Sequence, residues 1–503
     1  MDFFDHLSLG FSVASTLQNL LFALIGCVLG TVIGILPGIG PLATITMLLP
    51  ITTGLPAVTA LILLAGVYYG AQYGGSTTAI LVNRPGESSS AVTVIDGYQM
   101  ARNGRAGPAL AAAGLGSFFA GGVGTLLLAV FAAPLADLAL QLGPPEYFSL
   151  IVLALIGAVL LASGPLLKAI AMTVLGLLLG TVGTDVNSAV VRFSFDMREL
   201  EDGIGFMLVA MGIFVYGQII SNLGKHEAGR KVWRTQGARL WLGKQDVRHM
   251  ISAVLRGTAW GSLLGVLPGG GAVMAAFAAY TLESKTKLLP DEVPFGQGNI
   301  RGVAAPESAN NAGAQTSFIA MLTLGIAPNA VMALLVAAMA MHNVQPGAGL
   351  LTYYPEVFWG LVASMWIGNL MLVVLNLPLI GLWIKLLSVP YRWLYPAMVL
   401  TCALGVYANT HSTFDVWLLA LVGCVGYVFI QLDAEPAPLL LGCVLGPLLE
   451  EYLRRSLLLS RGDWSVFLTR PVSAALLATA ALLLVLVVLP SVKSKREEAF
   501  VED

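Results

Sequence analysis

Charge is what this chain lacks most. Lys, Arg, Asp and Glu make up 11% of its 503 residues, and 57% are hydrophobic; soluble proteins carry about a quarter charged residues. That composition excludes an ordinary water-soluble fold. No Lys or Arg precedes Arg84, so the first apolar runs offer no basic flank to orient them, and Asp2 and Asp5 point to an N-terminus outside the cytoplasm. The start, MDFFDHLSLG, has no basic n-region, so no cleavable signal peptide is expected. Cys27, Cys402, Cys424 and Cys443 are scattered through apolar segments without CxxC spacing, which argues against a disulfide framework or zinc site. His6, His226, His249, His342 and His411 are dispersed without metal-ligand spacing. No G-x-x-x-x-G-K-[ST], H-E-x-x-H or G-x-S-x-G occurs, which argues against ATP drive and against zinc-protease or serine-hydrolase chemistry. The net charge of −2 gives nucleic acid nothing to bind.

What the chain has instead is apolar runs of the roughly 20 residues needed to cross a bilayer, recurring from end to end. They predict an all-α polytopic membrane protein of about 10–12 membrane segments. The connection from Lys225 to Arg248 holds Lys225, Arg230, Lys231, Arg234, Arg239, Lys244 and Arg248 against Glu227 and Asp246. By the positive-inside rule it is cytoplasmic, with Trp233 and Trp241 suited to the membrane surface. It divides the chain into a first membrane repeat at 1–224, the connection itself at 225–249, a second repeat with additional C-terminal spans at 250–490, and a cytoplasmic tail at 491–503. The stretch 184–202 has no basic excess and is expected outside.

The repeat rests on GCVLGTVIGILPGIGP and GTAWGSLLGVLPGGGA. Gly26, Gly30, Gly34 and Gly38 match Gly257, Gly261, Gly265 and Gly269 at a constant offset (257 − 26 = 231), and Pro37 matches Pro268 at the same one. Glycine at four-residue spacing lets helices approach closely in lipid, and Pro-Gly then breaks the helix. Paired interrupted or hairpin helices near mid-membrane are a mark of secondary transporters. After each break comes a polar segment, GGSTTAILVNRPGESSS and APESANNAGAQTS, aligned more loosely and with a gap.

An interrupted helix leaves bare N–H groups at one end and bare C=O groups at the other. The first favour an anion; the second, with hydroxyl and amide oxygens, suit a hard cation. The candidate substrate residues are therefore Gly38, Gly40, Ser76, Thr77, Thr78, Asn83 and Arg84 in one half. In the other they are Gly269, Gly271, Ser308, Asn310, Asn311, Gln315 and Thr316. A sodium ion is expected near Gly75, Ser76, Asn311 and Thr316. Arg84 either pairs with Glu87 or grips a carboxylate bidentately. Glu307 reads as a helix cap in preference to a proton-linked carboxylate. Asp137, Lys168 and Asp415 read as interfacial, the two aspartates being minor candidates for a proton path.

These stretches, with YGGSTTAILVNRPGESSSAVTVIDGYQMARNGRAGPAL and VAAPESANNAGAQTSFIAMLTLGIAP, resemble the large membrane subunit of the tripartite tricarboxylate transporters. The resemblance implies inverted repeats and uptake of citrate-like or other organic anions, driven by a sodium or proton gradient, with no other cofactor. It also implies a small membrane partner subunit, a periplasmic solute-binding protein, and a place in the bacterial inner membrane. Where the family has an apolar residue before Pro-Gly, this chain has Arg84. Gln315-Thr316-Ser317 stand where the family has small residues, and Leu324-Gly325-Ile326-Ala327-Pro328 replaces Leu-Gly-Ile-Pro-Gly. The rival classes are a membrane-embedded enzyme acting on a lipid carrier, which needs an acid-base or metal cluster, and a passive anion channel.

Overall fold

The computed structural model describes residues 3–36, 40–162, 165–185, 188–223, 242–267, 271–289, 291–379, 381–383 and 391–488. Gly38 at the first break, Gly269 at the second, the basic connection up to Trp241 and the tail from 491 lie outside the described residues.

The first half begins with α1 (Phe3–Ala14) and α2 (Leu17–Ile35), the latter capped by Thr16, whose hydroxyl accepts from the Asn19 N–H. Then come α3 (Gly40–Thr52), α4 (Ala57–Val82), α5 (Thr93–Arg102), α6 (Ala106–Leu140), α7 (Pro144–Leu161) and α8 (Leu166–Gly180). A two-stranded hairpin, β1 (Gly183–Thr184) and β2 (Val191–Arg192), precedes α9 (Phe206–Ala210), a π-helical stretch Met211–Tyr216 and α10 (Gly217–Leu223). The second half comprises α11 (Lys244–Val266), α12 (Gly271–Ser284), α13 (Arg301–Ile319) with a π-helical extension Ala320–Leu324, α14 (Ala330–Met341), α15 (Leu350–Tyr353) and α16 (Pro355–Asn376). It closes with α17 (Tyr391–Thr410), α18 (Thr413–Gln431), α19 (Ala437–Leu459), α20 (Val466–Thr469) and α21 (Pro471–Val488). Among the described residues five helices (α2, α4, α6, α16 and α18) are long and apolar enough to cross a membrane, and six shorter apolar helices accompany them.

Three polar stretches are structured. The one holding Asp96 and Arg102 is helix α5. The connection at 184–202 contains the β1–β2 hairpin, with Gly183 opposite Arg192. Helix α19 runs to Leu459, with Glu450–Arg454 and Glu451–Arg455 paired one turn apart along its polar extension.

The glycine rows explain the packing. A Cβ on Gly26, Gly30 or Gly34 would sit 2.3, 2.2 or 2.4 Å from the carbonyl oxygens of Leu63, Val67 and Ala71 on α4. On Gly257, Gly261 or Gly265 it would sit 2.2, 2.4 or 2.4 Å from those of Ala305, Ala309 and Gly313 on α13. In both pairs the numbers rise together, so α2 runs parallel to α4 and α11 to α13, and the chain returns between them through α3 and α12. Across the middle the order reverses. Ser76 meets Glu307, and Tyr69 meets Phe318 with ring centroids 5.9 Å apart, so α4 and α13 are antiparallel.

The likeness of the two corners extends beyond the glycines. Helix α4 ends on Asn83 in the left-handed conformation (φ 62°), and the π-extended α13 ends on Gly325 (φ 72°). Glu87 and Asn329 then stand at the N-caps of the next helical turns. Both correspondences have one offset (325 − 83 = 329 − 87 = 242). The gap against 231 falls in the charged loop at 285–300. Between the corners, α4 is buried from Thr59 to Leu81 and α13 from Arg301 to Ile319. A helix as polar as α13 buried along its whole length is not explained by apolar packing.

Candidate functional site

The centre of the molecule is a polar seam between α4, α5, α6 and α13. Glu307 is wholly buried. The Ser76 hydroxyl donates to its Oε2 at 2.5 Å and the Thr93 hydroxyl to its Oε1 at 2.5 Å. Asn311, one turn on, donates from Nδ2 to the Ser117 hydroxyl (2.7 Å) and to the Glu307 carbonyl (3.2 Å). Glu307 lies two turns inside α13; it is not a helix cap, and the cap reading is corrected.

A second carboxylate lies beside the first. Glu87 accepts from the Ser89 hydroxyl, which also meets Gln72 Oε1 at 3.1 Å. Gln72 in turn offers its main-chain carbonyl to Ser76 at 3.0 Å. The buried Asn310 amide lies at Glu87, yet neither of its polar side-chain atoms has a partner of hydrogen-bond geometry. Ser308 Oγ and Gln315 Oε1 are buried without partners too. Buried polar groups are nearly always satisfied; Ser308 and Gln315 turn toward Gly116 and Gly124 of α6, while Asn310 turns toward Glu87.

The described edges of the two breaks are dressed alike. The Thr78 hydroxyl reaches the Gly34 carbonyl at 3.2 Å, and the Ser317 hydroxyl reaches the Gly265 carbonyl at 3.0 Å. Gly34 and Gly265 are the equivalent last-turn residues of the broken helices. Gly40 (φ 63°) and Gly271 (φ 57°) start the helices beyond the breaks in the left-handed region that favours glycine, with Asn329 beside Gly271.

The other candidates are spread around the seam. Thr316 and Gly75 pack toward different neighbours, Thr316 against Gly265 and Gly75 against Glu87 and Ser90. Asn83 and Arg84 are exposed on the loop after α4. Among the described residues Arg84 forms no ion pair with Glu87. Thr77 lines a cavity of about 20 Å³ with Tyr73, Ser76, Ser117 and Asn376; that is room for about one water, not for a tricarboxylate. Among the described residues no cluster of three or more His, Cys, Asp or Glu could hold a metal.

Some residues of the seam were not foreseen. Thr93 and Ser117 are single hydroxyls outside the polar motifs, and only the fold brings them to Glu307. Asp96 is wholly buried and accepts from the main-chain N–H groups of Gly296, Gly298 and Asn299 at 2.8, 2.9 and 2.8 Å, and from the Tyr280 hydroxyl at 2.9 Å. It clasps the loop leading into α13. Arg301, the first residue of α13, pairs with Glu283 (2.6 Å) and Glu292 (2.8 Å), which fixes that end against α12.

A family model described as "Tripartite tricarboxylate transporter TctA family" matches residues 20–441. An uncharacterised 52.8 kDa protein in the TAR-I ttuC' 3' region of Agrobacterium vitis is 56% identical over 503 residues, covering all of both chains. A second uncharacterised protein, in the TAR-II ttuC' 3' region of the same organism, is 56% identical over 243 residues, which is 48% of this chain and 100% of that protein. No solved structure matches.

Proposed function

The chain belongs to the tripartite tricarboxylate transporter TctA family, and from that premise we propose that it is the membrane subunit through which an organic anion, citrate or a related carboxylate, is taken up by symport with sodium or protons. The observation that carries the reading is the row of orphaned buried polar atoms on Ser308, Asn310 and Gln315. They lie on α13, which runs antiparallel to α4 across the middle of the molecule, and the parallel neighbours of these two helices, α11 and α2, end at Val266 and Ile35.

The pairs support two inverted halves with the site between them. The half-helix N-termini that begin at Gly40 and Gly271 supply partial positive charge to the carboxylates, with Gly38 and Gly269 just before them in sequence. Ser76, Thr77, Thr78, Asn83 and Arg84 on one side, with Ser308, Asn310, Asn311, Gln315 and Thr316 on the other, complete the binding surface as the transporter opens. A multiply charged anion is costly to bury alone, and a co-bound cation offsets that cost, which makes coupling obligatory. A periplasmic binding protein delivers the anion, a small membrane subunit completes the assembly, and the complex sits in the bacterial inner membrane.

The test is uptake of labelled citrate and other carboxylates into proteoliposomes that hold this chain with both partner proteins. Uptake that requires an imposed sodium or proton gradient supports the proposal. Gradient-independent flux identifies a channel, and turnover of a lipid carrier without flux identifies an enzyme.

A further inference from the structure

The β1–β2 hairpin and the turn after it stand on the outer face. Helix α9, the π-helical stretch and α10 carry the chain from the hairpin to the basic connection, which the positive-inside rule places in the cytoplasm. The other side of the hairpin agrees. Helix α21 leads into the basic tail, so the end of α19, to which the hairpin is bonded, is outside as well. Arg192 donates to both Glu450 oxygens, at 2.9 Å to Oε1 and 3.2 Å to Oε2. Arg454 bridges Glu450 at 2.6 Å and Asp185 at 2.9 Å. The hairpin is pinned to α19 by charge.

Against that anchorage, its outward surface is apolar. Val190, Val191, Phe193, Phe195 and Met197 are all exposed, Phe193 by 55% and Phe195 by 77%. Phe193 (φ 53°) and Phe195 (φ 51°) also adopt the left-handed conformation, which bulky side chains rarely take. Strain of that kind gathers at functional sites. The charges nearby decide what covers the patch. Asp196, Glu199, Glu201 and Asp202 are exposed, and in 193–205 only Arg198 opposes them. Segments that lie on a bilayer carry Lys and Arg on their polar side, so this surface is wrong for lipid. An apolar centre with a charged rim is the anatomy of a protein interface.

We propose that this hairpin is the docking surface for the soluble solute-binding protein, which meets it with an apolar patch rimmed by Lys and Arg. The inference rests on the reading above that such a protein delivers the anion, and it adds where that protein lands.

The experiment measures binding of the system's purified, carboxylate-loaded solute-binding protein to the full chain in lipid nanodiscs. The wild type is expected to bind saturably, with faster association at low salt. Phe193→Ser with Phe195→Ser should weaken binding about tenfold or more. Glu199→Lys with Glu201→Lys should slow association and remove its salt dependence. Leu432→Ser, beside the start of α8 and so at its far end from the hairpin, leaves binding unchanged. A polarity-sensitive fluorophore on Phe195→Cys, in a Cys424→Ser background whose other cysteines are buried, should report water until the binding protein is added. Emission that reports lipid beforehand overturns the proposal. So does undiminished binding by the double phenylalanine variant, or no binding to the wild type. Gradient-driven uptake in any of those three cases leaves the symport reading standing while the docking surface falls.

Discussion

Ser76 and Glu307 are separated by 231 residues of sequence and by 2.5 Å in space. Through that contact a hydroxyl of the first half rests on a carboxylate of the second, and the bond crosses the interface on which alternating access would have to act. Removing it leaves Glu307 with Thr93 as its remaining side-chain donor. Ser76→Ala is therefore expected to cost about 1–3 kcal/mol of stability, read by chemical unfolding in detergent, and to slow uptake, with Ser76→Thr recovering most of both.

The glycine rows make a contrast of their own. A Cβ at Gly30 or Gly261 would run into the carbonyl of Val67 or Ala309, whereas one at Gly122 meets nothing within 4 Å. Gly30→Ala and Gly261→Ala should each destabilise by about 1–3 kcal/mol, and Gly122→Ala should not. Thermal inactivation of the three purified variants checks this.

Asp96 holds three main-chain N–H groups and a tyrosine hydroxyl. Asp96→Asn replaces a charged acceptor with an amide that has donors to place, so a loss of about 1.5–3 kcal/mol is expected, and about 1 kcal/mol for Tyr280→Phe. Protease sensitivity of the 285–300 loop would rise in both, and an unchanged cleavage rate would count against the clasp.

Arg84 is exposed and forms no ion pair among the described residues, so Arg84→Ala should leave stability within about 0.5 kcal/mol of wild type. If its guanidinium meets the carboxylate, the variant raises KM in proteoliposome uptake, and Arg84→Lys recovers the affinity only in part, because an ammonium lacks the bidentate fork.

Much of the fold was legible because membrane helices announce themselves by length and composition. The apolar, glycine-rowed run that precedes Pro37 is α2 at Leu17–Ile35, and the long apolar run that follows Arg105 is α6 at Ala106–Leu140. Helix α1 was hidden because 12 residues with Asp5 and His6 fall short of a span, and α5 because its burial comes from tertiary partners of Asp96 and not from apolar content. At the site, the run Ser308–Gln315 was visible as polarity out of place in a membrane segment. Glu307 was misread as a cap because the sequence does not show where α13 begins; it begins at Arg301, with Pro306 inside it. Thr93 and Ser117 carried no local signal at all. Their role depends on which helix faces Glu307, and that is a property of packing.

The most direct test compares Asn310→Ala with wild type in two readouts, unfolding stability and citrate counterflow in sodium. An amide buried without partners costs the resting protein free energy, so a ligand-binding role predicts a variant at least as stable as wild type with counterflow abolished. A variant that loses stability yet transports normally would contradict the account, because Asn310 would then be part of the scaffold and the seam would not be the path of the anion.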